Sequence, residues 1–380
     1  MVPEMSSPCF FNRSAASWRS DRTFALLTQR PRSAALGLRS TPPAMHVLPR
    51  LLVLALASAA IAFSQDQDPD AIFQETLFSP PFPALAPAPQ RPVNGPWNAD
   101  VIVYRTTAEG QVTRTATFER AGVPTIARLE DGRLIAAHQH FPENDAANFD
   151  KVAVHFSSDE GRTWTAATVI RLQGLPAGMR FPFDPTLVTL PDGRLRLYFT
   201  SRRFEESHPA IHSAISSDGI DYIYEPGVRF AIADRPVIDC AVVLHQNTFH
   251  LFSPDNGTEI HHGQGNATSD NVGYHAVSTD GLTFTRVADV HIEGRGRRWL
   301  GNAHSDGRLI TFCGTGMPLA QPNQKPDGNV WMATSTDAQT WRIIPSPSIY
   351  GGDPGAIPNP DGTLTIVITG EPRNREPRNR

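Results

Sequence analysis

Apolar and polar positions alternate with period two along Phe183 to Ser201, FDPTLVTLPDGRLRLYFTS, on either side of Pro191-Asp192-Gly193. Leu195, Leu197 and Phe199 share one face of the second run, so the stretch predicts two antiparallel strands joined by a tight turn. The pattern returns in VPTIARLEDGRLIAAHQ from Val123 and in DPGAIPNPDGTLTIVIT from Asp353, each with eight residues from its first position to the turn Asp. Looser copies start at Asp239 (DCAVVLHQNTFHLFS) and Arg298 (RWLGNAHSDGRLITFCG). The starts at 123, 184, 239, 298 and 353 are spaced by 61, 55, 59 and 55 residues, a nearly constant period.

A second signal follows each of the first four hairpins: HFSSDEGRTWT (155–165), AISSDGIDYI (214–223), AVSTDGLTFT (276–285) and ATSTDAQTWR (333–342). Each reads as a strand, a turn on Asp or Gly, and a further strand. Four strands per period predict an all-β propeller of four-stranded antiparallel blades. VIVYRTTAEGQVTRTATFE (101–119) reads as the second half of a blade, with Glu109-Gly110 at its turn, and the copy from Asp353 as a first half. Joining them closes a ring of five blades and removes the exposed sheet edges. A six-bladed ring with one unrecognised blade is the alternative.

Outside the repeats the chain divides by composition. Residues 1–44 are rich in Arg and Ser and hold only Glu4 and Asp21 as acids. Met45-HVLPR, an apolar run from Leu51 to Ala60 and Ala60-Ile61-Ala62 then read as a secretory signal peptide over 45–62, too short to span a membrane. On that reading residues 1–44 are an upstream misread, and a transit peptide is the other reading. Residues 63–99 are a Pro- and Ala-rich linker, 100–372 the propeller, and 373–380 a charged tail. The expected location is secreted or periplasmic.

The net charge of -4 supplies no basic footprint, which argues against a nucleic-acid partner. Three Cys are too few for a disulfide scaffold, and Cys313 falls on an inward strand face as a small core residue. The expected protein is a monomer with no membrane association after signal cleavage. His138 and His140 share a strand face and His261-His262 are adjacent in a loop, but neither spacing is that of a zinc site. No cofactor is expected, with Ca2+ held by loop carboxylates as the alternative. Gly294-Arg295-Gly296-Arg297-Arg298 reads as a solvated basic turn.

The turn residues Asp159, Asp218, Asp280 and Asp337 are placed to bond their own backbone, a structural task. The first residue of each innermost strand opens on the central funnel, and in order these are Val123, Asp184, Asp239, Arg298 and Asp353. Three carboxylates in one cavity raise one another's proton affinity, as glycoside hydrolysis requires. Capping of strand starts by the same Asp side chains is the structural alternative. The second strands end at the same rim, at Phe141, Arg202, Gly316 and Glu371, and a loop after the third hairpin adds Asp255, Glu259, His261 and His262. Arg180, Arg202 and Arg298, with Glu371, Glu259 and His140, are the candidate substrate-binding residues; the arginines suit an anionic sugar group or neutralise the funnel acids.

Asp-Pro or Asp-Cys opening an innermost strand, with Ser-x-Asp-Gly turns farther out, resembles the five-bladed propeller glycosidases of the arabinanase/xylosidase and invertase types. SSDEGRTW (Ser157–Trp164) resembles the Asp-box of sialidases. The resemblance implies a carbohydrate substrate, with Asp184 similar to the carboxylate that stabilises the transition state or tunes its neighbour and Asp239 similar to the third-blade general acid, usually Glu. It also implies a first-blade Asp, where this chain has Val123, and the Arg that sialidases place before Ile-Pro is missing from Ala121-Gly122-Val123-Pro124. Asp353, by position, is the remaining candidate base. The expected function is that of an exo-glycosidase or sialidase-like hydrolase, with a glycan-binding propeller that does not cut as the alternative.

Overall fold

β-Branched and aromatic residues at alternating positions, punctuated by Asp-Gly turns, leave the chain little choice but short antiparallel strands. The computed structural model describes residues 95–107, 110–255, 271–294, 296–316, 330–370 and 373. These form five sheets, with no sixth among the described residues. Blade one is Ala121–Arg128, Leu134–His140, Lys151–Ser157 and Thr168–Val169. Blade two is Phe183–Thr189, Leu195–Ser201, Ala210–Ser216 and Asp221–Phe230, with Arg171–Gln173 added in parallel at its outer edge. Blade three is Ala241–His245, Thr248–Pro254 and Val272–Ser278, followed by two short strands that both pair with the third. Blade four is Arg297–Ser305, Ile310–Gly316, Val330–Ser335 and Arg342–Ile344.

Blade five closes the ring. Its inner strands, Gly352–Pro358 and Leu364–Thr369, come from the end of the repeats, and its outer strands, Val101–Thr106 and Val112–Phe118, from the start. Val101 pairs with Thr369 and Val103 with Val367, as the two half-blades in the sequence required.

Apolar side chains gather at the five junctions between blades. Leu195, Leu197 and Phe199 point into the junction of blades one and two, whereas Tyr198 of the same strand points into that of blades two and three. Both faces of a blade are thus covered, and every residue from Leu195 to Ser201 is buried. Trp299, Phe312 and Phe252 fill the junction of blades three and four. Cys313 packs with Val330, Met332 and Ile368 between blades four and five, a small core residue as its position in the sequence suggests.

The four Asp turns fold alike. Asp280 Oδ1 accepts the N–H groups of Leu282 and Thr283 at 2.8 and 2.9 Å, and Ser278 donates to the same oxygen. These donors stabilise the ionised form and hold Asp280 and Asp337 down to about 2. The turns also latch the ring. Arg196 and Tyr198 of blade two donate to the carbonyls of Asp280 and Gly281 in blade three, and Arg105 and Thr115 of blade five donate to those of Glu160 and Gly161 in blade one.

The segments read as an upstream stretch and a signal peptide over 1–62, most of that read as a linker and most of the charged tail lie outside the described residues, as do Glu109, Glu259, His261, His262, Arg295 and Glu371. No helix among the described residues is long and apolar enough to cross a membrane.

Removing the Asp280 carboxylate deprives two N–H groups of their acceptor and loosens a latch. Asp280→Ala is expected to destabilise the protein by about 1 kcal/mol, seen in thermal melts as a Tm about 2–4 °C lower, with a smaller loss for Asp280→Asn.

Candidate active site

At the centre of the ring, where the innermost strands begin, the backbone departs from regular strand geometry. Val123, Asp184, Asp239 and Asp353 all take left-handed φ values, between 50° and 59°. In blades one, two and five the pairing register jumps at this residue, so it is the extra residue of a β-bulge. Asp tolerates that backbone and Val does not, so Val123 is the strained member of the set. Val123 and the three Asp therefore share one left-handed turn of the backbone, and all four line the centre.

The bulge N–H groups are satisfied across blade boundaries. Val123 N–H donates to Thr369 Oγ1 at 2.8 Å, Asp239 N–H to Thr200 Oγ1 at 3.3 Å, and Asp353 N–H to Thr315 Oγ1 at 2.9 Å. Each donor lies on the blade that follows its threonine around the ring.

The result is a small central opening lined by Asp184, Asp239 and Asp353, by Val123, and by the segment from Leu300 to Asn302. The three aspartates expected at the funnel do converge there. Arg298 does not open its innermost strand: the register of blade four slips between Arg297 and Gly301, and Leu300 and Gly301 reach the cavity instead. Two additional residues in that bulge move the guanidinium out of line with the other four starts. Arg298 is nonetheless buried, and its charge acts on Asp239.

Like charges in a buried cavity raise one another's proton affinity. Burial, then the charges of Asp239 and Asp353, hold the Asp184 carboxyl well above its usual range, against the smaller opposing pull of the Thr200 hydroxyl and Arg180. Asp239 is pushed up to about 6 by burial, moderated by Arg298 and by a hydrogen bond with Asp184. Both Asp184 and Asp239 thus hold a proton more firmly than an isolated carboxyl does.

Arg180 lies beside this pair. Its Nη2 donates to Asp150 Oδ2 at 2.6 Å, and its guanidinium stacks 4.1 Å from the centre of the Phe183 ring. Asp150 is a residue that the sequence reading passed over. It also accepts from Gln139 Nε2 at 2.8 Å and takes a left-handed φ of 61°. Its one sequence signal is its place at the head of a strand, after the rim loop of blade one. Arg202 Nη1 donates to the carbonyls of Glu206 and Ser207, within its own loop. His140 is half-buried, with burial lowering its proton affinity. His138 is fully enclosed, 3.0 Å from His155 between ring nitrogens, and burial holds it down to about 3. It is a core residue.

Among the described residues no group of three or more His, Cys, Asp or Glu is arranged to hold a metal ion. Cys240 and Cys313 are free and buried.

No family model matches the chain, and no curated protein does. Solved structures similar to it include a thermostable family-43 glycoside hydrolase, at 13% identity and a TM-score of 0.45, covering 68% of this chain and 95% of that one. An alpha-L-arabinanase of Penicillium chrysogenum complexed with arabinobiose matches at 16% identity and a TM-score of 0.44, covering 71% of this chain and 79% of that one. An alpha-L-arabinofuranosidase of Clostridium thermocellum matches at 12% identity and a TM-score of 0.45, covering 64% of this chain and 80% of that one. At these values the matches say nothing about activity, and the five-bladed ring stands on its own strand pairing.

A carboxyl whose proton affinity is raised on folding weakens the fold as pH climbs from its unfolded value to its folded one. For Asp239 that window runs from the usual value of 3.8 to about 6. Asp239→Asn removes the buried charge while keeping the shape. It is expected to raise stability by about 2 kcal/mol at pH 7.5 and to have little effect at pH 3, where both side chains are neutral, as read by chemical denaturation at the two pH values.

Proposed function

We propose that this propeller is a glycoside hydrolase, with the funnel as its active site and a carbohydrate as its substrate. The observation that carries the reading is the convergence of Asp184, Asp239 and Asp353 on one central opening, two of them buried and raised in proton affinity. Hydrolysis of a glycosidic bond needs one carboxyl that still holds a proton and one that has lost it. In this reading Asp239 gives its proton to the leaving oxygen as the bond to the anomeric carbon breaks. Asp353 takes a proton from the attacking water, and Asp184 tunes Asp239. Asp239 recovers its proton from solvent once the products leave. Arg180, held by Asp150 and Phe183, and the buried Arg298 limit the negative charge of the funnel. Arg202 and His140, with Glu259 and Glu371 on the strength of their sequence positions alone, belong to sugar recognition in this reading. An exo-acting or sialidase-like specificity suits a small central cavity, and export follows from the signal sequence over 45–62.

One observation favours a second reading. Val123 occupies the bulge where the resemblance calls for a first-blade Asp, and Leu300 brings another apolar side chain. A funnel so altered would bind a glycan without cutting it.

A panel of aryl glycosides that includes pyranosides, furanosides and sialosides separates the two. Turnover of one of them by the wild type, reduced about 10²–10⁴-fold in Asp239→Asn and Asp353→Asn, is the outcome expected of an acid and a base. Because the acid must be protonated, kcat/KM is expected to fall as pH rises through about 6. Glycan affinity with no turnover of any member would establish the binding reading, and an unchanged rate in Asp353→Asn would remove that residue from the base role.

A further inference from the structure

The three carboxylates are not held alike, and the difference lies on the second strands. Phe183 pairs with Thr200 in blade two and Gly352 with Thr369 in blade five, so in both blades a threonine stands across from the residue just ahead of the bulged Asp. Each hydroxyl accepts the bulge N–H of the next blade, as described above. A hydroxyl has one proton to give, and its acceptance of an N–H directs that proton elsewhere. Thr369 Oγ1 donates to Asp353 Oδ2 at 3.2 Å. Thr200 stands at the same register place in blade two, and its hydroxyl favours the ionised form of Asp184. Each threonine thus stands between the N–H of the next blade's strand start and the carboxylate of its own blade.

The other blades break this arrangement at different places. Thr315 of blade four accepts from Asp353 N–H, but the bulge of its own blade presents Leu300. In blade three Ala241 pairs with Phe252 as Thr186 pairs with Tyr198, which puts Pro254 at the place of Thr200, with neither hydroxyl nor N–H. Blade one carries Gln139 there, and its amide is committed to Asp150.

We propose that Thr200 and Thr369 are positioning residues of the site, each holding the carboxylate of its own blade in one orientation as a hydrogen-bond acceptor while locking the bulge of the next. Asp239, across from Pro254, lacks such a donor and is governed by Arg298 and by Asp184. A hydroxyl donor favours the ionised form of the carboxylate it serves. Asp184 is otherwise faced by Asp239, Asp353 and Arg180, so Thr200 and Arg180 offset two neighbouring carboxylates. The proposal rests on the funnel's being a site, though its test does not require turnover.

Full-length protein carrying 13C-carboxyl aspartate, with resonances assigned from the three Asp→Asn variants, reads each midpoint directly. Thr200→Val is expected to move the Asp184 midpoint up by about one pH unit, and Thr369→Val to do the same at Asp353. Thr200→Ser and Thr369→Ser keep the donor and should restore the wild-type midpoints. Thr315→Val is the control, because it removes an N–H acceptor but no donor to a carboxylate of its own blade. A fall in Tm without movement of the Asp184 midpoint is expected of it. Folded Thr200→Val with an unmoved Asp184 midpoint, or Thr315→Val moving that midpoint as far, would overturn the proposal. If the Val variant does not fold, Thr200→Ala is read in its place. Shifted midpoints in a protein that turns over no glycoside would uphold the relay and reject the hydrolase, and turnover with unmoved midpoints would do the reverse.

Discussion

Ring closure is the constraint on which the rest of this structure depends. Each blade buries one face against the blade before it and one against the blade after, so the two end faces of the row stay bare until the fifth junction forms. The chain meets this by splitting blade five, with Val101–Thr106 pairing against Leu364–Thr369. The same closure brings the starts of five innermost strands around one axis. Because strands fanning from an axis cannot pack there as they do at the junctions, a small opening remains, and the side chains leading each strand enter it.

What enters that opening is decided by backbone geometry as much as by residue type. The strand starts at Val123, Asp184, Asp239 and Asp353 share a left-handed φ that regular strands never use. Three of the bulge N–H groups are anchored on hydroxyls of the preceding blade, so the position of a funnel side chain is set by the blade beside it. Bringing three carboxylates together this way is costly, and the molecule responds with raised proton affinity at Asp184 and Asp239, a hydroxyl donor from Thr369 to Asp353, and the buried charge of Arg298. Val123, strained and apolar in the same place, is the departure from the pattern that most directly bears on whether the funnel cuts or only binds.

The Asp turns complete the picture at the outer edge. Their carboxylates tie down their own backbone, and carbonyls of the Asp159 and Asp280 turns accept side chains from the neighbouring blade. Latches outside and hydroxyl ties inside thus bracket the junctions of blades two and three and of blades five and one.

Periodicity along the chain was enough to determine the hairpins, the number of blades, the split of the closing blade and the meeting of Asp184, Asp239 and Asp353, because all of these follow from a local alternation repeated at a constant interval. It misplaced blade four, where counting back from the turn Asp lands on Arg298 but Leu300 reaches the axis, because Asp306 directly follows the strand end at Ser305 whereas Asp192 lies three residues past Thr189, a difference in turn that the alternation does not record. Asp150 and the threonine ties were beyond it for a different reason. Gln139, Asp150 and Arg180, or Thr369 and Val123, belong to segments whose nearness is created only when blades pack side by side. Which carboxylate keeps a proton is likewise a property of burial and of neighbours drawn from separate blades, and only the assembled ring decides it.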